Sequence, residues 1–121
     1  LIVGTGSRRL VTKHPEKDDW VVKFGVGSGI EHNKNEFRIY NKAKSENIEE
    51  ILCPIEDSHP DGKWIAVPYI EDVQDNCEEK FCGPKARDIH SKLNDIGINL
   101  YEIETAYYKG RPIAYDYGQI I

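Results

Sequence analysis

The sequence predicts an α+β domain, and three observations carry that prediction. Residues 1–26 alternate β-rich runs with short turns, residues 33–43 carry apolar side chains at helical spacing, and later β runs are joined by tight-turn signals. Taken in order, Leu1, Ile2 and Val3 start an apolar strand, a turn runs from Gly4 to Arg9, and residues 10–13 restart a strand. Residues 20–26 are the richest β segment, because Trp20, Val21, Val22 and Phe24 suit a half-buried pleated surface. Gly27, Ser28 and Gly29 break the pattern. A helix is expected to start at Asn33 as N-cap, with Glu36, Ile39, Tyr40 and Ala43 on one face, and to fade over residues 44–47. Residues 51–55 and 64–70 read as two more strands, joined through Asp61-Gly62, a strong hairpin signal. The simplest assembly is a five-stranded antiparallel sheet with one inserted helix. After an acidic stretch at residues 71–80, Pro84 suits the first position of a second helix. Its apolar face is Ala86, Ile89, His90 and Leu93, and Gly97 ends it. Residues 107–115 read as a last hairpin around Lys109-Gly110, closed by Asp116-Tyr117-Gly118.

The chain has 121 residues, which makes one domain the default. Hydrophobic content of 39% and charged content of 31% fit an ordinary globular protein. No apolar run approaches the roughly 18 residues of a membrane span, so a cytoplasmic protein without a membrane partner is expected. The net charge of −5 argues against nucleic acid as the main partner and is compatible with a basic protein surface. Three cysteines, Cys53, Cys77 and Cys82, without CxxC spacing read as free thiols in a reducing compartment.

Several side chains stand out chemically. Gly4-x-Gly6-x-x-Arg9-x-Val11 lies between two strands. Its glycines either let backbone N–H groups approach phosphates or serve a plain turn, and Arg9 stands where the full glycine pattern has its third glycine. Lys23 interrupts an apolar strand, facing either a cleft or solvent. Glu36 either pairs with Lys23 or closes a capping box with Asn33. Asp116, before an aromatic and a glycine, is either a turn residue or a Mg²⁺ ligand. The four histidines are scattered and carry no site. Tyr107, Tyr108, Tyr115 and Tyr117 cluster in sequence and suggest an exposed aromatic patch, suited to a protein interface or a homodimer.

Together these motifs resemble the protein-kinase-like fold, and most closely the small kinase-like proteins of bacteriophage genomes. Val21-Val22-Lys23 matches the strand lysine, and Asn33-x-x-Glu36 the helix with the pairing glutamate. The run 64–71 looks like the last N-lobe strand entering the hinge, where the backbone of Pro68, Tyr69 and Ile70 would take adenine. Asp116-Tyr117-Gly118 looks like the metal-binding turn. The resemblance implies residues 1–70 as an N-lobe and residues 71–121 as a minimal C-lobe of one helix and a hairpin. It implies ATP and Mg²⁺ as cofactors, with Lys23, Glu36 and Asp116 as the catalytic set, Glu104 as a second metal ligand, and Gly4, Gly6 and Val11 against the nucleotide.

Two departures from the family pattern shape the expected function. No His-x-Asp occurs in residues 98–105, where the catalytic loop should be. Asn99 stands nearest the base position, and Asp95, Glu102 and Glu104 are the only nearby substitutes. The sequence also stops three residues after Gly118, which leaves no room in it for an activation segment. The expectation is therefore a catalytically impaired, pseudokinase-type module, ATP-binding, that acts on a protein partner such as a host protein inhibited by a phage product. The alternative is a minimal ATP- and Mg²⁺-dependent phosphotransferase.

Overall fold

A computed structural model describes residues 2–5, 9–70, 84–101 and 103–118. Gly6, Cys77, Cys82 and Glu102, and the acidic stretch after Ile70, lie outside the described residues. The elements are β1 (Ile2–Thr5), β2 (Arg9–Lys13), β3 (Trp20–Gly25), α1 (Ser28–Ser45), a 3₁₀ turn (Glu49–Ile51), β4 (Asp57–Ser58), β5 (Trp64–Pro68), α2 (Pro84–Asp95), β6 (Glu104–Tyr108) and β7 (Arg111–Asp116). The fold is α+β. One sheet is antiparallel with strand order β1-β2-β3-β5-β4, and β6-β7 form a separate antiparallel hairpin.

β3 is the strand that the rest of the sheet is built on. In its pairing with β2, Lys23 lies opposite Val11, and with β5 it lies opposite Ile65. Val21, Val22 and Lys23 are all buried, so this strand is covered on both faces and does not show a one-sided alternation. α1 packs on the sheet through Ile39 and Ala43, which join Val21, Ile65 and Val67 in the core. α2 adds Ala86, Ile89 and Leu93, and the hairpin adds Ala106, Ile113, Ala114 and Tyr117, to the same continuous cluster.

Two expected elements are corrected. α1 starts at Ser28 rather than near Asn33, with Gly27 as its N-cap at φ 58. The glycines there are not breakers. A Cβ on Gly25 would lie 2.6 Å from the Ile30 nitrogen and 2.7 Å from the Gly29 carbonyl carbon, so bare glycine lets the helix start against the end of β3. Asn33 is accordingly an interior residue, and the capping-box reading of Asn33 with Glu36 does not hold.

The fourth strand is Asp57–Ser58, not residues 51–55. Ile51 closes the 3₁₀ turn, and Leu52 makes an isolated parallel bridge to Ala114 while Cys53 N–H donates to the Ala114 carbonyl at 2.8 Å. Pro54, without an N–H, cannot continue a ladder. Burial made this run apolar, but it connects the sheet to the β6-β7 hairpin. Tyr117 reinforces that connection, its hydroxyl donating to the Cys53 carbonyl at 2.7 Å. The expected aromatic patch is corrected too: Tyr117 is fully buried and Tyr108 and Tyr115 pack against the core, leaving Tyr107 as the exposed member.

Candidate functional site

β2, α1 and the end of β7 converge on a cluster of charged side chains. Helical spacing puts His32, Asn33 and Glu36 on the sheet-facing side of α1, and all three are buried. Asp116 is the last residue of β7, and Arg9 the first of β2.

Arg9 is the hub. Its Nη1 lies 3.0 Å from Glu36 Oε2 and donates to Asn33 Oδ1 at 3.2 Å, while its Nη2 donates to Asp116 Oδ1 at 3.0 Å. A planar guanidinium with divergent N–H groups can bridge two carboxylates in this way, where an ammonium presents a single point charge. His32 Nε2 lies 2.6 Å from Asp116 Oδ1 and 2.9 Å from Glu36 Oε2. Asn33 Nδ2 donates to the backbone carbonyls of Lys23 and Gly62, at 3.2 and 3.1 Å, which fixes α1 against β3 and the β4-β5 connection.

The protonation states follow from these contacts. Burial works against ionised Asp116, but the His32 hydrogen bond and the Arg9 and Lys23 charges outweigh it and hold its carboxyl well below the usual range. Burial likewise works against charged His32, yet its hydrogen bond to Asp116 and the Glu36 carboxylate beside it push its pKa up. With Asp116 ionised, His32 Nε2 is the donor. Arg9 is held charged against burial by Glu36 and Asp116. Glu36 Oε2 is fully buried and accepts no well-aligned hydrogen bond, although Arg9 and His32 lie within ion-pair distance of it. It is stabilised by proximity of charge rather than by directed bonds.

A pH dependence follows. A raised folded-state pKa for His32 means its stabilisation is full below the ordinary value of 6.5 and is lost as pH rises through the raised value. A depressed Asp116 contributes stability above its ordinary 3.8 that is lost as pH falls through its folded value. Urea-denaturation stability should therefore be greatest between these values and decline above pH 6.5, and His32→Gln should flatten that decline. A parent whose stability rises above pH 6.5 would contradict the assignment.

The expected pairing of Lys23 with Glu36 is corrected: Glu36 takes Arg9 and His32 instead. Lys23 is buried, with its Nζ 4.1 Å from the centre of the Tyr115 ring. Among the described residues no carboxylate lies within ion-pair distance of this ammonium. Val11 sits beside Lys23 in the register, and Gly4 pairs with Val11 across β1 and β2. Pro68 and Ile70 are buried and Tyr69 is half exposed. The Tyr69 N–H donates to the Asp19 carbonyl at 2.7 Å, so this backbone donor is used within the chain. Glu104 is the register partner of Asp116 across the hairpin. Asp95 and Asn99 are exposed, at the end of α2 and in the segment after it.

Sequence reasoning missed Arg9 and His32 as site residues. Arg9 stood out only as a missing glycine. His32 carried one usable signal, its i,i+4 spacing to Glu36.

The donor set decides what the cluster can hold. His32, Glu36 and Asp116 each offer a ligand atom, all within 4.8 Å of one another. Oxygen donors suit Mg²⁺, but Asp116 Oδ1 already accepts from both Arg9 and His32, and Glu36 Oε2 already faces the same two cationic groups. A Mg²⁺ ion bound through Asp116 Oδ1 and Glu36 Oε2 would compete with the Arg9 guanidinium for the same oxygens. No family model matches the chain, and no curated protein matches it.

Proposed function

We propose that the protein is a kinase-like module, impaired in phosphoryl transfer, that acts by binding a protein partner. The single observation carrying this reading is the state of Asp116. The oxygen that a phosphotransferase would offer to Mg²⁺ is engaged by Arg9 at 3.0 Å and by His32 at 2.6 Å. Phosphoryl transfer depends on positioning and on metal charge neutralising the developing anion. Here the neutralising charge is internal.

Other features support the kinase-like part of the reading. One helix lies between the third and fourth strands of a five-stranded antiparallel sheet, like an N-lobe, and a helix with a hairpin follows, like a reduced C-lobe. Lys23, Glu36 and Asp116 come in the family's order. Lys23 favours retained ATP binding, because a buried ammonium with no carboxylate partner among the described residues suits an anionic ligand.

The test is ATP turnover and thermal shift on the parent, Lys23→Ala and Asp116→Ala. The expected turnover is at background in all three. ATP at a hundred times its dissociation constant should stabilise the parent by about 2.7 kcal/mol, without a requirement for Mg²⁺, and Lys23→Ala should abolish that shift. Turnover in the parent that disappears in Asp116→Ala would overturn the reading in favour of a minimal phosphotransferase.

A further inference from the structure

The exposed face of α1 departs from the charge of the rest of the chain. The net charge is −5, yet between Glu31 and Glu46 the helix exposes Lys34, Arg38, Lys42 and Lys44, and its only acid there, Glu36, is buried. Lys34, Arg38 and Lys42 follow one another at one-turn spacing, a stripe of roughly 12 Å along the helix. Among the described residues none of these four cations has a carboxylate partner. Arg38 bonds only to Asn35 Oδ1, at 3.3 Å, and Lys44 lies over the Tyr40 ring.

Two hollows flank the stripe, and Arg38 borders both. The first, of about 370 Å³, lies between α1 and the β4-β5 connection, with Phe37 and Pro60 beside Asn41, Ser58 and His59 in its wall. The second, of about 360 Å³, lies between α1 and the segment after α2, with Ile39, Ile96 and Ile98 in its wall. Phe37 is 41% exposed at the edge of the stripe. Asp57 of β4 and Asp61 of the β4-β5 connection do not line the first hollow.

From this arrangement we infer that the outer face of α1 is a docking surface for an acidic, amphipathic helical segment of a partner protein. Its carboxylates, at one-turn spacing, meet Lys34, Arg38 and Lys42, and its apolar side chains fill the hollows on either side. Charge complementarity selects an acidic occupant and sets encounter rate and register. The apolar side chains in the two walls, Phe37 and Pro60 in one and Ile96 and Ile98 in the other, favour a peptide over a nucleic acid, whose phosphate backbone would use the cations but not these contacts. The inference rests on the reading of the protein as a binding module and names the face that does the binding. The basic partner suggested by net charge alone does not suit this face.

The experiment is fluorescence anisotropy with synthetic amphipathic helical peptides carrying Glu at one-turn spacing beside Leu and Phe. Peptides with Lys in place of Glu, and single- and double-stranded DNA, serve as competitors. The parent should bind the acidic peptides, less tightly as salt is raised. The combined variant Lys34→Glu, Arg38→Glu, Lys42→Glu should lose at least about tenfold in affinity, since each reversal adds like-charge repulsion. A second variant with Gln at the three positions should lose less, and circular dichroism should show both folded, because all three side chains are exposed. No binding of any acidic peptide, equal binding by parent and charge-reversed protein, or equal binding of the Lys peptides would overturn the inference. So would tighter binding of DNA than of the acidic peptides. Parent self-association in sedimentation that the charge reversal abolishes would also overturn it, by assigning the face to a second copy. The two readings fail separately: Asp116-dependent ATP turnover would remove the pseudokinase reading and leave peptide binding intact, whereas inert α1 chemistry in a protein without turnover would remove only this inference.

Discussion

Arg9→Met should cost about 3 kcal/mol of folding stability, the low end of the range for breaking a buried ion pair, because His32 Nε2 still lies 2.9 Å from Glu36 Oε2. The cost falls mainly on Glu36, whose side chain is 1% exposed, whereas Asp116 is 33% exposed and water can take up part of its charge. Met keeps the aliphatic stem and approximate volume of Arg9, so the loss reports on charge and hydrogen bonding rather than on a cavity. The mechanism makes a second claim. Glu36→Gln alone removes the buried charge but leaves Arg9 facing one carboxylate fewer. In the Arg9→Met background the same change removes a buried charge left with His32 as its remaining cationic partner, and should cost less than it does in the parent. The double-mutant cycle should therefore show coupling of about 1–3 kcal/mol, as for residues in one network. Urea denaturation of the four proteins measures it. An Arg9→Met loss below about 0.5 kcal/mol, in the range of an ordinary surface substitution, would mean that Arg9 is not the neutralising charge of the cluster.

The features of the fold that are local in origin were legible in the sequence. The closing hairpin was found from Lys109-Gly110, and both residues have positive φ, 52 and 79, as a tight two-residue turn between right-twisted strands requires. α2 was found from Pro84, the spacing of Ala86, Ile89 and Leu93, and Gly97 at φ 84. Lys23 was recognised as out of place in its strand, which its burial explains.

The misreadings all came from long-range contacts. Residues 51–55 are apolar because they are buried, and a short buried connection cannot be told from a strand by periodicity. Gly27-Ser28-Gly29 looked like a breaker because the need for a close approach between Gly25 and Gly29 exists only once β3 and α1 are packed. The site shows the same limit. Arg9 and Asp116 are 107 residues apart in sequence, and no local pattern says that an arginine in a turn-like motif will reach a carboxylate on the last strand. Glu36 was expected to pair with Lys23 and instead faces Arg9 and His32, because a lysine on the neighbouring strand and an arginine one strand further out are equally compatible with a buried carboxylate until their reach is known.

Gly118→Ala should destabilise the protein by about 1–3 kcal/mol, the range for overpacking a tight site, and should also open the charged cluster. In the sequence this glycine belongs to an Asp-aromatic-Gly turn, which the kinase resemblance reads as metal-binding. The structure gives it a different physical reason. A Cβ there would stand 2.5 Å from both the His32 carbonyl oxygen and His32 Cδ2, and 2.8 Å from His32 Nε2. The requirement is for room, since Gly118 does not adopt the left-handed conformation that calls for glycine. The ring could turn aside, but the carbonyl oxygen belongs to the backbone of α1, so the end of β7 must lift away from the helix. That movement would lengthen the 2.6 Å contact between His32 and Asp116 and the 3.0 Å bond from Asn35 Nδ2 to the Gly118 carbonyl. Two readouts separate this from simple loss of stability. The decline in stability above pH 6.5 should flatten in Gly118→Ala, as is expected of His32→Gln, because both break the same bond. Combining Gly118→Ala with His32→Ala should recover only part of the loss, because removing the ring leaves the clash with the carbonyl oxygen. Full recovery in the double variant would place the constraint in the imidazole alone. An unchanged pH profile in Gly118→Ala would mean that the His32–Asp116 bond does not depend on how closely β7 approaches α1.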